Sequence, residues 1–90
     1  MKVHHIGIAV ESLEAALPVF EKLLGRAADS KEIVEDQKVR VAVFRLGETR
    51  VELLEATAPD SPIARFIAKR GQGLHHVTFT VPNLAEALAR

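Results

Sequence analysis

The feature that most constrains the fold is a segment that occurs twice, once near each end of the chain. Residues 3–17 read VHHIGIAVESLEAAL, and residues 74–88 read LHHVTFTVPNLAEAL. With an offset of 71 positions, residues 3–19 align with residues 74–90, and six of the 17 pairs are identical. A period of this length is too long for a stacked-repeat protein. The pattern therefore indicates a duplicated module whose second copy is incomplete in this sequence.

Each copy of the segment predicts a strand followed by a helix. Apolar and β-branched residues fill positions 3–10 and 74–81, as in a strand that is buried on one face. Ser12 and Asn83 can cap the helices that follow, since their side chains can accept an orphan backbone N–H of the first turn. Apolar residues then recur at helical spacing, and Gly25 is suited to end the first helix.

The central part of the chain predicts a hairpin, a further strand and a short helix. Residues 39–44 alternate as a strand does, and Gly47 with the residue after it suits a two-residue turn. Residues 31–35 can form another strand. Ser61 followed by proline is typical of a helix start, and Gly71 is where this helix should stop.

The resulting element order is β-α-β-β-β, a short helix, then β-α. It predicts an α+β fold built from paired βαβββ modules. Residues 1–70 would form the first module with its connecting helix, and residues 71–90 would form the β-α start of a second, incomplete module.

Composition excludes several classes of protein. Hydrophobic residues make up 48% and charged residues 27%, with a formal net charge of zero, so the basic patch of a nucleic-acid-binding protein is not expected. No apolar run is long enough for a membrane span, and the first residues lack the charged region and apolar core of a signal peptide, so we expect neither. It contains no cysteine, which excludes disulfides and thiolate metal sites. We expect a cytoplasmic, soluble protein with neither nucleic acid nor membrane as a partner.

The paired histidines are the strongest candidates for a functional site. Because side chains alternate along a strand, we expect the two members of each pair to point to opposite faces. His4 and His75 would lie on the apolar face, whereas His5 and His76 would lie among small or polar residues that can line a cavity. Two neutral imidazoles converging there suit a divalent metal ion. The alternative for each is a hydrogen-bonded structural histidine.

Glu52 is the best candidate for a third metal ligand. Alternation in the run RVELLE places it opposite Val51 and Leu53, so a carboxylate is set into an otherwise apolar strand. A solvated position on an edge strand is the alternative. The remaining carboxylates that we considered are expected to be solvated surface residues: Glu14, Glu21, Glu32, Glu35 and Asp36.

The residues assembled so far, together with the run LGETRVELLE and the segments DSPIA and GLHH, resemble the vicinal oxygen chelate superfamily, which includes glyoxalases, bleomycin resistance proteins and dioxygenases. Within it, the methylmalonyl-CoA epimerase group is the most similar, and the resemblance covers essentially all 90 residues. It implies paired βαβββ modules curled around a metal ion, with His5, Glu52 and His76 as three of four ligands.

The resemblance also implies residues that this sequence lacks. The fourth ligand of the family is a glutamate that would lie beyond Arg90, and it is also the leading candidate for an acid–base group, so the catalytic residue of this chain is unknown. Some relatives carry another catalytic carboxylate on the strand matching residues 39–44, where this chain has Arg40 and Val41. The 90-residue chain alone is therefore not expected to be active; either it is a fragment, or another copy completes it.

The activity implied is epimerisation of methylmalonyl-CoA through metal-assisted abstraction of the C2 proton, which interconverts the (2R) and (2S) forms. The implied cofactor is a divalent metal ion, Co²⁺ first, with Zn²⁺, Mn²⁺, Ni²⁺ and Mg²⁺ as alternatives. The implied partners are an acyl-CoA thioester substrate and a second copy in a homodimer. Two alternatives remain open: a glyoxalase I-type lyase and a non-catalytic ligand-binding module of the same superfamily.

Overall fold

Five strands form one mixed sheet in the computed structural model, which describes residues 1–89. Their order across the sheet is β2-β3-β4-β1-β5. The strands are β1 (Lys2–Ala9), β2 (Ser30–Val34), β3 (Val39–Leu46), β4 (Thr49–Ala56) and β5 (Gly73–Thr80). The helices are α1 (Leu13–Leu24), α2 (Pro62–Arg70) and α3 (Leu84–Ala89), with one 3₁₀ turn at Glu35–Gln37. The predicted α+β class and the predicted element order are confirmed.

The ends of the helices are fixed by local side chains, as the sequence predicts. Ser12 Oγ accepts a hydrogen bond from the Ala15 N–H at 3.1 Å, and Asn83 Oδ1 accepts one from the Glu86 N–H at 2.9 Å. Caps of this kind each contribute about 1 kcal/mol. Gly25 adopts a left-handed conformation, with φ of 70°, where it ends α1.

Strand β1, which belongs to the first copy of the repeated segment, lies inside the sheet and pairs directly with β5 of the second copy. It runs parallel to β4 and antiparallel to β5. Because β5 is the second copy of β1, the antiparallel pairing relates the copies by an approximate two-fold axis. Gly7 lies opposite His76, and His5 lies opposite Thr78, so both repeated segments contribute to the same part of the sheet.

Apolar residues are buried on both faces of this sheet. On one face, α1 covers a cluster of Val10, Leu13, Ala42, Phe44 and Leu53. On the other face, α2 contributes Ile63 to a cluster with Ala9, Val39, Val41, Val43 and Leu54. The second face is the one that carries His5, and α2 covers one end of it. Over residues 1–89, none of the helices has the length and apolar character needed to cross a membrane.

Candidate metal centre

Strand register brings all three predicted metal ligands to one face of the sheet, which we call the cup face. Neighbouring residues on adjacent strands form rows across it. One row contains Arg45, Arg50, His5 and Thr78 in that order. The next row contains Val43, Glu52, Gly7 and His76. Because paired residues on adjacent strands point to the same side, His5, Glu52 and His76 share the cup face, as alternation predicts.

The two predicted histidine ligands meet through the same ring atom. The Nε2 atoms of His5 and His76 lie 3.1 Å apart, with the rings nearly perpendicular at 88°. Two nitrogens bound to one divalent ion at about 2.0–2.1 Å, at an angle of about 90° to 110°, lie about 2.8–3.4 Å apart. The observed spacing therefore matches two adjacent ligands of a single ion. The Thr78 hydroxyl lies 3.2 Å from the same Nε2 atom of His5.

Gly7 provides the space that the ring of His76 occupies. A Cβ atom added at Gly7 would lie 2.3 Å from Cε1 of His76 and 2.7 Å from both of its ring nitrogens. No side chain fits at that distance, so the glycine lets the imidazole of the neighbouring strand lie directly over the backbone of β1. The glycine in the repeated segment is thus part of the site.

Glu52 lies in the same row as Gly7 and His76, and its side chain is only 15% exposed. Its Oε2 atom lies 3.3 Å from Nη2 of Arg50. Among residues 1–89, no hydrogen-bond partner reaches the buried Nε of Arg50. Within the part of the chain that the structure describes, no group of three histidine, aspartate or glutamate side chains already surrounds a single point.

The side chains of His5, Glu52 and His76 are suited to a divalent ion for two reasons. Their donor atoms are of the right kind, and the two Nε2 atoms have the spacing of adjacent ligands. Imidazole nitrogens with a carboxylate oxygen suit Zn²⁺, Co²⁺, Ni²⁺ and Mn²⁺. The cleft that Gly7 leaves open allows both rings to face one point. The carboxylate of Glu52 pairs with Arg50, so binding an ion with all three donors requires this side chain to turn toward the histidines.

Burial favours the neutral form of two of the histidines, His5 and His75. The pKa of His5 is lowered, mainly by burial; the carboxylate of Glu52 opposes this shift, whereas His76, His4 and Arg50 add to it. Burial also lowers the pKa of His75, with a smaller contribution from His76. A neutral imidazole keeps a lone pair for a metal ion, because a metal competes with protons for its ligands.

The expected separation of each histidine pair onto opposite faces is wrong. The register between β1 and β5 shifts by one residue between Val3 and His5, and again between Gly7 and Ile8. The extra residues are His4 on the first strand and His75 on the second. A β-bulge interrupts side-chain alternation, and each extra histidine contacts the histidine that follows it, with Nδ1–Nδ1 distances of 2.7 and 2.8 Å. Alternation along one strand could not reveal a bulge, which depends on the register between two strands.

Two cavities of different character border the histidines. One of about 230 Å³ lies between α2 and the sheet, and it is largely apolar apart from Gln37, Glu52, His75 and His76. The other, of about 300 Å³, lies at the opposite end of the cup face. Its lining is mainly basic and comprises Lys2, His4, Arg45, Arg50, Gly47 and Glu48. Sequence reasoning did not find this basic cavity, although two arginines at positions 45 and 50, five residues apart around a hairpin turn, were a usable signal.

Comparison with known proteins gives a consistent assignment. The 46% identical uncharacterized protein YqjC of Bacillus subtilis matches over 97% of this chain and 62% of its own length. Human mitochondrial methylmalonyl-CoA epimerase is 34% identical over 97% of this chain and 50% of its own length. The chain thus spans about half to two thirds of these relatives.

A solved structure and a family model agree with these matches. Methylmalonyl-CoA epimerase from Streptomyces coelicolor, in complex with 2-nitronate-propionyl-CoA, superposes with a TM-score of 0.85 at 30% identity, over 99% of this chain and 66% of that one. The family model described as "Glyoxalase/Bleomycin resistance protein/Dioxygenase superfamily" matches residues 4–90. The chain therefore belongs to the glyoxalase/bleomycin resistance protein/dioxygenase superfamily.

Proposed function

We propose that this chain forms the metal-binding part of a methylmalonyl-CoA epimerase. The observation that carries the proposal is the convergence of the Nε2 atoms of His5 and His76 at 3.1 Å, on two strands that repeat one sequence. Relatives named as this enzyme support it, at 34% identity for the human protein and 30% for the Streptomyces coelicolor protein.

The difficult step in such a reaction is removal of the proton at C2, next to the thioester carbonyl. A divalent ion held by His5, Glu52 and His76 would supply electrostatic stabilisation for the negative charge that develops on the thioester oxygen. We expect Co²⁺ to serve in this role, with Zn²⁺, Mn²⁺, Ni²⁺ or Mg²⁺ as alternatives.

The charge distribution on the cup face suits an anionic acyl-CoA thioester. Arg45 and Arg50 lie directly opposite each other on neighbouring strands, and like charges in that position destabilise a sheet. Lys2 adds a third positive charge to the same cavity. Such a basic wall beside the histidines attracts the carboxylate and the phosphates of the substrate.

The apolar cavity under α2 suits the uncharged part of the substrate. It reaches from the helix to His76 and is lined by side chains such as Val41, Leu54 and Ile63. A site of this kind excludes water and strengthens electrostatic interactions near the reacting carbon. The substrate would therefore lie across the cup face, with its charged groups toward the arginines and its apolar carbon atoms toward the helix.

Strand β3 offers no carboxylate on the described cup face for proton transfer at C2. The cup face of this strand presents Val39, Val41 and Val43, which are buried beneath α2. As the resemblance implies, a carboxylate beyond Arg90 would perform this role. Residues 1–70 and 71–90 would belong to two modules, and the assembled form would be a homodimer.

The direct test is exchange of the C2 proton of methylmalonyl-CoA with D₂O, followed by ¹H NMR with the full-length Co²⁺-loaded protein. We expect His76→Ala to slow exchange by at least about a hundredfold, since loss of an outer-shell partner alone costs up to that much. Lys69→Ala, an exposed change at the far end of α2, is the matched control. Wild-type exchange in the His76→Ala protein would overturn the ligand assignment.

The superfamily also contains glyoxalases, so the same centre is to be tested as a lyase. Turnover of the hemithioacetal formed from methylglyoxal and glutathione, without exchange on methylmalonyl-CoA, would assign lyase activity. Saturable binding of an acyl-CoA with neither reaction would identify a non-catalytic ligand-binding module.

A further inference from the structure

Four histidine rings form a continuous line through the candidate metal centre. The line runs from His4 to His5 through Nδ1 atoms 2.7 Å apart, then to His76 through Nε2 atoms 3.1 Å apart. It ends at His75, whose Nδ1 lies 2.8 Å from Nδ1 of His76. We call this arrangement the imidazole line. All three distances are within hydrogen-bonding range.

The two β-bulges produce this line. Neighbouring residues on a regular strand point to opposite faces, so their rings could not be in contact. The register shifts leave His4 and His75 as the extra residues, and each turns toward the ring of the next histidine. The same device thus occurs once in each copy of the repeated segment.

The position of the proton on each ring determines the role of the two outer rings, those of His4 and His75. A neutral imidazole carries one N–H and one bare nitrogen. For His5 and His76 to present bare Nε2 atoms to one metal ion, each must carry its proton on Nδ1. That N–H then needs an acceptor, and the adjacent Nδ1 atom of His4 or His75 can serve if the outer ring carries its own proton on Nε2.

We propose that His4 and His75 are positioning residues that fix the tautomer and ring orientation of the two metal ligands. This inference rests on the proposed metal centre and adds the residues that prepare it. Metal-bound histidines generally donate their second N–H to a carboxylate, a backbone carbonyl or a water molecule, which orients the ring and increases its basicity. Here the acceptor is another histidine in both halves of the site.

The surroundings of the two outer rings show how they are held in place. His75 packs edge-on against Phe66 of α2, with the ring centroids 4.9 Å apart. His4 lies in the basic cavity beside Arg45 and Arg50.

Metal binding must therefore change the tautomers in a defined way. Without metal, three hydrogen bonds along four neutral rings are all satisfied only when every N–H points in the same direction along the line. One of His5 and His76 then carries its proton on Nε2. With metal, the two inner rings both carry it on Nδ1, and both outer rings carry it on Nε2.

Long-range ¹H–¹⁵N NMR of histidine-labelled protein, with and without Zn²⁺, reads these tautomers directly. We expect the Zn²⁺-bound spectrum to show Nδ1–H for His5 and His76 and Nε2–H for His4 and His75. An Nδ1 proton on either outer ring in the Zn²⁺-bound protein would overturn the inference.

Zn²⁺ affinity, measured by competition with a chromogenic chelator, tests the same inference by substitution. His75→Leu keeps an apolar contact with Phe66 but removes the acceptor, and His4→Leu removes the acceptor on the other strand. We expect each to weaken Zn²⁺ binding by about 10- to 100-fold. His75→Asn and His4→Asn, whose Oδ1 can accept in place of Nδ1, should recover most of that loss.

The outcomes separate this inference from the proposed function. Unchanged Zn²⁺ affinity in both leucine variants, with binding abolished in His5→Ala and His76→Ala, would overturn the positioning role alone. Tight Zn²⁺ binding that responds to all four histidines, without proton exchange on methylmalonyl-CoA, would overturn the epimerase assignment alone. A wild-type protein that binds no divalent ion would overturn both.

Discussion

The two copies of the repeated segment, β1–α1 and β5–α3, have the same pattern but different surroundings. Strand β1 is paired on both sides and packs against α1 through Ile8. On the same face of β5, Leu74, Val77 and Phe79 are exposed. Both copies therefore share the local strand, the bulge and the histidine pair, whereas burial depends on what the rest of the chain places against each copy.

The exposure of β5 is also clear within one row of the sheet, where a residue of β1 lies between two leucines. Ile8 lies between Leu53 on β4 and Leu74 on β5. Leu53 is 0% exposed, whereas Leu74 is 60% exposed. We expect Leu53→Ala to reduce the free energy of unfolding by about 2–5 kcal/mol, as a cavity in the core does. Leu74→Ala should change it by less than about 0.5 kcal/mol.

Urea denaturation of the two variants, followed by circular dichroism, gives both values. Equal destabilisation would show that the outer face of β5 is covered in the protein as it exists in solution. That result would show that β1 is equally well packed on both sides, because Leu74 on β5 would then be as well covered as Leu53 on β4.

The sequence predicts those features that local chemistry decides. Ser12 and Asn83 cap helices where expected, and Glu52 shares a face with His5 and His76 because alternation holds along β4. It could not predict the bulges, because the extra residues His4 and His75 are defined only by the register between two strands about 70 positions apart.

The sequence also does not predict that α2 covers part of the cup face. The apolar residues of α2 predict that one side of the helix is buried, but they do not indicate which face of the sheet receives it. The alternation of residues 39–44 likewise fixes two faces without identifying the one that carries the histidines. Both are decided by the path of the chain in three dimensions.

The two copies also differ in how they make room for the partner histidine. Gly7 and Thr78 are equivalent in the repeat, and each lies opposite a ligand histidine, His76 and His5 respectively. The ring of His76 lies directly over Gly7, whereas Thr78 offers a hydroxyl 3.2 Å from Nε2 of His5. The same position is thus a gap in one copy and a hydrogen-bonding group in the other.

Substitution at these two positions should therefore have unequal effects. Gly7→Ala forces the ring of His76 to move, because the new Cβ would lie 2.3 Å from its Cε1 atom. We expect this to weaken Zn²⁺ binding by about 10- to 100-fold, the range seen when a ligand loses its orientation. Thr78→Ala should change it by only about fivefold or less, since the one neutral hydrogen bond it removes is equivalent to about 1 kcal/mol and is in any case given up when Nε2 of His5 binds a metal ion.

Chelator competition measures both affinities, and a thermal melt of each variant without metal checks that the sheet is intact. Equal losses at the two positions would mean that the copies support their histidines in the same way. The steric role of the glycine would then be wrong.

Beyond its helix, the first copy is joined to the sheet by a charged contact centred on Asp29. Its Oδ2 atom accepts the backbone N–H of Arg45 at 2.7 Å, and its Oδ1 atom accepts a hydrogen bond from Nη2 of Arg26 at 2.8 Å. Arg26 also donates to the carbonyl of Arg45 at 2.7 Å. These contacts attach the end of α1 to β3 and give the first copy a connection to the rest of the sheet.

This contact predicts a dependence of stability on pH. The backbone hydrogen bond from Arg45, and to a smaller extent the charge of Arg26, lower the pKa of Asp29, and burial opposes them only in part. A carboxyl group whose pKa is lower in the folded state stabilises that state above its usual pKa of about 4, and the stabilisation is lost as the pH falls through the lower folded value.

Asp29→Asn should therefore be less stable than the wild type near neutral pH, and the difference should shrink in acid. Urea denaturation across this pH range tests the prediction, with Asp36→Asn in the exposed 3₁₀ turn as the control. A difference that stays constant with pH would show that the carboxylate charge of Asp29 does not hold α1 to the sheet, and that the first copy depends on its buried face alone.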